Sequence, residues 1–299
     1  MKYFVMPDED LRLDAHARQT LRGSFAQLSD GFTHYELGGP ETGELAVLVP
    51  GTTIPLFYWD GMASKLHARG IRTLAFSAYG RGYSDRTQGR YDEAMFVRQL
   101  RELLSFLGID TPVNLVGTSM GALGAMTYLL DRPDSVRTLT LIGPAGLSTD
   151  TALQQRALRS DRIASFAARR FGRKILLGHL GRNVFDPALV EPLTTMISDC
   201  YRFEGSMYSF FSTLQNYPIS GREDLYRRAG SLGIPILLAW ATEDRITPIS
   251  GLDRARDLVR PSHTEIIEGC GHMAPYERPG ETGELVSSFI TARSDRIDS

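Results

Sequence analysis

The sequence predicts an α/β protein, with a mostly parallel sheet flanked by helices and interrupted by a helical insertion. Three observations carry that prediction. Apolar, β-branched runs alternate with helix-periodic stretches from residue 45 to 142 and again from 234 to 292, the pattern of strands covered on both faces. Between Gly146 and Gly233 the alternation stops, and Arg, Leu, Phe and Tyr recur at helical spacing without a clear buried strand. At 113–116 an apolar run enters Gly117-Thr118-Ser119-Met120-Gly121 and leaves as a helix-forming stretch, so strand, sharp turn and helix follow one another directly. The expected division is a core of residues 1–146 and 233–299 with a helical cap at 147–232.

Taken in order, residues 1–20 are charged and irregular, with a short helix expected around 11–21. Runs 24–28 and 32–37 flank Ser29-Asp30-Gly31; Asp-Gly between β-prone runs predicts a hairpin. A continuous apolar strand at 45–49 ends at Pro50-Gly51-Thr52-Thr53. Helix 59–68, strand 73–76 and helix 94–107 follow, the last with Arg and Gln on one face. The strand at 113–116 is followed by helix 123–130, stopped by Arg132-Pro133, and by a buried strand at 136–142. The insertion has helical spacing over 152–171 and 193–211. Beyond it come strand 234–240, helix 252–259, strand 265–267 and a last helix at 281–292.

Composition narrows the function classes. A chain of 299 residues, 42% apolar and 23% charged, suits one large domain carrying an insertion. Its net charge of −2 gives no electrostatic footprint for nucleic acid or an anionic membrane. Cys200 and Cys270 are too few and too far apart for a disulfide framework. No apolar run reaches the length of a membrane span, and the first ten residues are too weakly apolar for a signal peptide. A reducing cytoplasm is therefore the expected location, and oligomeric state is left open.

Chemistry is expected at the turn. G-x-S-x-G between strand and helix is the context of a nucleophile elbow. There the turn forces Ser119 into strained backbone geometry, and Gly117 and Gly121 supply the side-chain-free neighbours it needs. A serine needs a base, and the base needs an orienting group. Of the six histidines, His272 lies in Glu268-Gly269-Cys270-Gly271-His272-Met273, past the last strand, at the edge where sites form in open α/β sheets. His263 precedes that strand and belongs to the opposite edge; His16, His34, His67 and His179 have no comparable placement. The acid should follow a neighbouring strand, and the segment after 234–240 offers Asp244, with Glu243 second. An oxyanion needs two preset donors: the N–H of Met120, which follows the nucleophile, and that of Thr52, where Gly51 permits close backbone approach.

These residues together resemble the cap-containing α/β-hydrolase superfamily, the group of esterases, monoacylglycerol-lipase-like enzymes and carbon–carbon bond hydrolases. The resemblance runs from about Gly23 to the last helix. It includes Tyr79-Gly80-Arg81-Gly82-Tyr83-Ser84-Asp85, similar to the family's structural G-x-G-x-S-D loop, and Gly271-His272 followed by Glu277-Arg278-Pro279. The order Ser119, Asp244, His272 is also the family's. Three positions depart from its pattern. Pro50 stands where many relatives have histidine, Ser77 where aspartate is common, and Ala122 where a second glycine is frequent. A serine rather than an aspartate at the elbow sets the chain apart from haloalkane dehalogenases and epoxide hydrolases.

The resemblance implies a serine hydrolase that needs no cofactor or metal and forms an acyl-enzyme on Ser119 from a small-molecule carboxylic ester. Cleavage of a carbon–carbon bond in ring-cleavage products by the same triad is the alternative. A ligand-binding protein with this fold and little turnover is the rival outside enzymes. Phe57-Tyr58-Trp59 belongs to the core more readily than to an acyl pocket. Phe203, Met207, Phe210 and Phe211 have helical spacing, and Phe210 and Phe211 either face the substrate or hold the cap down. The arginines over 156–173 read as a solvated helix face. No H-E-x-x-H spacing or phosphate loop is present.

Overall fold

The structure of the protein, a computed structural model, describes residues 1–148, 158 and 160–294. Its frame is an eight-stranded sheet among the described residues. The strands are β1 (Ser24–Leu28), β2 (Gly31–Gly38), β3 (Leu45–Val49), β4 (Arg72–Phe76), β5 (Val113–Thr118), β6 (Val136–Ile142), β7 (Ile236–Ala241) and β8 (His263–Ile267). Their spatial order is β1-β2-β4-β3-β5-β6-β7-β8. β1 and β2 form the expected hairpin, with Leu28 opposite Gly31, and β2 runs antiparallel to β4; the remaining pairs are parallel. β5 lies inside the sheet between β3 and β6, and all six of its residues are buried. That is why its sequence is mostly apolar rather than alternating, and its buried Asn114 is satisfied by the Leu45 carbonyl, Glu44 and the Thr138 hydroxyl.

Two groups of helices flank the sheet. α2 (Asp60–Ala68) packs against α11 (Pro279–Ser294), while α4 (Met120–Asp131) packs with α3 (Glu93–Phe106) and α8 (Glu223–Gly230), and α8 with α9 (Leu252–Val259). α3 starts where Asp92 accepts the Met95 N–H, which satisfies a donor that the first helical turn leaves unpaired. Gln99, on the helix face that also carries arginines, is fully buried, its amide bound to Thr33 Oγ1 and the Ser77 carbonyl and its oxygen accepting the Tyr79 N–H. A helical wheel sees polarity; it does not see three waiting partners.

Between β6 and β7 the described residues form α5 (Asp161–Leu180), α6 (Val190–Cys200), α7 (Ser206–Asn216) and then α8. Of the stretch expected to be helical over 152–171, residues 152–157 and 159 lie outside the described residues. The stretch 193–211 is two helices rather than one, because Gly205 turns the chain with φ at +86°. α7 is buried from Ser206 to Thr213, between α5 and the loop after β4. Its hydroxyls are paired: Ser209 with the Ser206 carbonyl, Thr213 with the Ser209 carbonyl.

Residues 1–13 are not free-standing. Phe4 is buried, and Glu9 accepts N–H bonds from Gly205 and Met207 at 2.9 and 2.6 Å. Leu11 exchanges backbone hydrogen bonds with Arg202 and Glu204. The N-terminal segment thus straps the helices, and two arginines of the supposed solvated face hold it: Arg173 pairs with Asp8, and Arg169 lies over the Phe4 ring. Among the described residues no helix is long and apolar enough to cross a membrane.

Candidate active site

β5 delivers Ser119 to the sheet edge at φ 53° and ψ −120°, a backbone state that costs a non-glycine residue about 1–3 kcal/mol. The surroundings over-determine it. The Ser119 N–H donates to the Ile142 carbonyl, and the Ser119 carbonyl accepts from Ala122 and Ala145 N–H groups, each at 3.2 Å. The framing glycines are steric necessities. A Cβ at Gly117 would stand 2.7 Å from Ala122 Cα, and one at Gly121 only 2.3 Å from the Val49 carbonyl oxygen. Chain ends and neighbouring strands cannot yield there, so the elbow tolerates no side chain on either flank.

The loops after β7 and β8 converge beside it. His272 Nδ1 lies 2.7 Å from Asp244 Oδ2, both side chains almost wholly buried. Asp244 is held from several sides. Its Oδ1 accepts the Ile246 and Thr247 N–H groups at 2.8 Å each, and its Oδ2 is 2.8 Å from the Thr247 hydroxyl. Burial alone would raise the Asp244 carboxyl, but the facing His272 and the hydrogen bonds from His272 and Thr247 outweigh it and hold its pKa below the ordinary carboxylate value. A carboxylate at Oδ2 makes Nδ1 of His272 the protonated nitrogen and leaves Nε2 free to accept a proton. Glu243 makes no such contact; its N–H donates to the Cys270 carbonyl, which spaces the two loops. Among the described residues Ser119 Oγ and His272 share a cleft without a hydrogen bond between them, an arrangement common where such contacts tighten only on substrate binding.

Two backbone donors near the elbow are left without a partner. Met120 is the first residue of α4, so its N–H has no partner within the helix, and neither it nor the Thr52 N–H is donated to another group among the described residues. Gly51 approaches within 3.4 Å of Ser119 Cβ, counted from where its own Cβ would be. Arg81, fully buried, pins this loop. Its Nε donates to the Thr52 carbonyl at 2.6 Å, Nη1 to the Tyr79 carbonyl at 3.0 Å, and Nη2 to Thr213 Oγ1 of α7 at 2.8 Å. The motif around Arg81 was visible in the sequence, but its reach to both Thr52 and α7 was not.

The cleft, a narrow one, is lined by Thr52, Thr53, Thr118, Ser119 and His272 and, from the last turn of α5, by His179. Sequence gave no placement for His179, because the carboxyl end of a helix in an unpatterned insertion carries no positional signal. Phe210 and Phe211 are absent from these walls. Both are buried, with Phe210 edge-on to Tyr201 and to Phe211, which packs toward Gly172 of α5. They are core of the helical segment, and the substrate role expected of them finds no support at the cleft. Tyr58 and Trp59 are likewise in the main core. Glu277, quoted in the motif after His272, is a clamp: Oε1 accepts the Gly271 N–H at 3.1 Å and Oε2 the Phe185 N–H at 2.7 Å. No cluster of three or more His, Cys, Asp or Glu side chains suited to a metal occurs among the described residues.

Several known proteins are similar to this chain in sequence or fold. The chain is 26% identical over 234 residues to the monoacylglycerol lipase ABHD6 of Mus musculus, covering 71% of this chain and 66% of that protein. It thus spans just under two thirds of the length of that relative. It is 25% identical over 234 residues to the 2-hydroxy-6-oxo-6-(2'-aminophenyl)hexa-2,4-dienoic acid hydrolase of Metapseudomonas resinovorans, covering 76% of this chain and 77% of that one. In fold it is similar to a thermophilic esterase from Thermogutta terrifontis, with a TM-score of 0.76, 19% identity, and coverage of 91% and 99% of the two chains. Residues 46–285 match the model of the alpha/beta hydrolase family, and the chain belongs to that family.

Proposed function

We propose that the protein is a serine hydrolase that cleaves a carboxylic ester through an acyl-enzyme on Ser119. One observation carries the reading: the buried 2.7 Å Asp244–His272 contact opens onto the cleft that also holds the strained Ser119. In the first step His272 Nε2 takes the Ser119 proton as Oγ attacks the carbonyl carbon. The resulting oxyanion lies against the Thr52 and Met120 N–H groups, which are preset and need no reorganisation. Collapse breaks the ester bond, and His272 returns the proton to the departing alkoxide, which leaves as the alcohol. Water, deprotonated by the same nitrogen, then attacks the acyl carbon; collapse breaks the bond to Ser119 Oγ, which takes the proton back from His272 as the acid leaves. Asp244 keeps the imidazole in the required tautomer and stabilises the imidazolium.

Two further features support this reading. A small apolar niche adjoins the elbow at Pro50, Met120 and Gly121 and is walled by Phe76, Phe96 and Tyr217, an apolar side from which an uncharged acyl group would be met. The described helices between 160 and 216 act as a cap that shapes the leaving-group side. Cys200 and Cys270, buried and free, suit a reducing cytoplasm. The similarity to the Metapseudomonas resinovorans hydrolase keeps carbon–carbon bond cleavage by the same residues as a second reading.

Turnover of an ester series graded in acyl length, alongside a vinylogous diketone acid, tests the proposal. Ester hydrolysis that disappears in Ser119→Ala is the expected result. Preferred cleavage of the diketone acid would establish the second reading, and absence of turnover on both would leave a ligand-binding protein.

A further inference from the structure

The net charge of −2 conceals a local concentration of cations. From Arg162 to Phe185 the chain carries six Arg or Lys residues and no Asp or Glu. The same stretch holds six of the ten large apolar side chains that stand exposed among the described residues: Ile163, Phe166, Phe171, Ile175, Leu177 and Phe185. Most of it is the 20-residue helix α5. Charge and apolar exposure thus coincide on one surface, and the cleft beside Ser119 explains neither, because its walls include none of these side chains.

α5 turns its smaller residues inward. Ala164, Ala168, Gly172, Leu176 and Leu180 recur every fourth residue and are buried, and a Cβ at Gly172 would stand 2.7 Å from Met207 Sδ of α7. The opposite face carries Ile163, Phe166, Arg170, Lys174 and Leu177, all exposed, with Phe166 at 64%. Phe171 flanks that face, edge-on to Phe166 with ring centroids 6.1 Å apart, and the Arg170 guanidinium lies 5.4 Å from its ring centre. Two of the cations serve the fold, since Arg173 pairs with Asp8 and Arg169 lies over Phe4. Arg162, Arg170, Lys174 and Arg182 have no carboxylate partner among the described residues. A helix that met only water on its outer side would gain nothing from large apolar side chains clustered there.

We propose that α5 docks the protein on an anionic lipid surface, lying along it with Phe166, Phe171 and their apolar neighbours among the acyl chains and its unpaired cations against the lipid phosphates. This occupant suits both features at once. A basic helix with exposed aromatic side chains gains from apolar burial and from attraction to anionic headgroups together, and a helix of 20 residues presents about 30 Å of such surface. A second copy of this chain fits less well. A two-fold contact through α5 would set Arg170 and Lys174 against their own counterparts, with no acid between 162 and 185 to relieve them. The docking is peripheral, since no helix among the described residues is long and apolar enough to cross a membrane. It does not depend on which bond the cleft breaks.

Co-sedimentation of the full chain with vesicles of phosphatidylcholine alone, and of phosphatidylcholine mixed with phosphatidylglycerol, is the test. The native protein should bind the mixed vesicles, bind phosphatidylcholine alone about tenfold more weakly or worse, and leave the mixed vesicles at high salt. Arg170→Gln and Lys174→Gln should each weaken binding about fivefold, the share of one cation near an anionic surface. Phe166→Ser combined with Phe171→Ser should weaken it about tenfold or more. Phe106→Ser, which removes an exposed aromatic from α3, should leave it unchanged. All these side chains are exposed, so the melting temperatures should hardly move. Absence of binding to the mixed vesicles overturns the proposal, as does binding that the α5 variants leave intact or that Phe106→Ser weakens equally. So does a concentration-dependent dimer that Phe166→Ser dissolves, because the face would then belong to a second copy.

Discussion

The sheet edge and the helices above it meet at one cleft but are built under different constraints. At the edge, backbone occupies the space that a side chain would need. Gly121 faces the Val49 carbonyl oxygen, Gly117 faces Ala122, and Ser119 adopts a backbone state that three hydrogen bonds enforce. In the helical segment, side chains do the work. α7 is buried by Phe210, Phe211 and Met207 and satisfied by its own hydroxyls, and the N-terminal strap covers it through Glu9. The first region admits few residues at each position; the second admits any apolar residue of about the right size. The same contrast separates two histidines that burial keeps neutral. His34 in β2 is fully hydrogen-bonded, and its pKa is lowered to about 4 chiefly by desolvation; His179 in α5 is lowered to about 4 as well but has no partner among the described residues.

If the edge is where the chemistry resides, the largest effect belongs to the acid. Asp244→Asn should lower turnover by roughly 10⁴, with the fold retained, because the wrong histidine tautomer would be held in place. Glu243→Gln should change it little. A larger loss from Glu243→Gln would mean that the geometry at His272 has been misassigned.

If the helical segment is packing rather than pocket, Phe210→Ala should cost about 3–5 kcal/mol of stability, the usual price of truncating a buried phenylalanine. Its effect on chain-length preference across an ester series should be slight. A changed preference with an unchanged denaturation midpoint would return Phe210 to the substrate site.

The paired histidines predict an acid limb in stability. With a folded pKa of about 4 against an ordinary 6.5 for His34, the unfolded chain takes a proton that the folded one refuses. The contribution is therefore fully present above pH 6.5 and is lost as pH falls from 6.5 to about 4, by about 3 kcal/mol for such a group. Denaturant titrations of His34→Leu should show a flatter slope over that window, even if the variant is less stable at neutral pH. An identical slope would assign the limb to other groups.

The smallest effect expected concerns the bridge between the two regions. Arg81→Met leaves the Thr52 carbonyl and Thr213 without their donor. Turnover should fall about tenfold, an indirect share of what losing an oxyanion donor itself costs, with KM changing less than kcat. A KM effect alone would make Arg81 part of binding and not of the oxyanion loop.

How much of this was legible in the sequence follows the same division. Ser119, its glycines, β5 and β6 could be read because sterics at an elbow and burial on both sheet faces restrict residue type at every position. Asp244 could be placed because only one strand end nearby carried carboxylates. Thr247 lies three residues after Asp244, yet a threonine in a loop has no spacing that announces contact with a carboxylate and an imidazole. Glu277 and Arg81 lay in recognisable motifs, but their partners, Phe185 and Thr213, come from the insertion and are distant in sequence. Gln99 was legible as polar, but its burial was not, because its partners Thr33, Ser77 and Tyr79 lie in other elements. His179 carried no signal at all, since what makes it notable is its position across the cleft from Ser119.

The central claim is that Ser119 is an activated nucleophile at this edge, and covalent capture tests it most directly. A fluorophosphonate added to the native protein should raise the intact mass by one adduct, map to the peptide containing Ser119, and fail to label Ser119→Ala or, at a comparable rate, Asp244→Asn. Equal labelling of wild type and Ser119→Ala would contradict it.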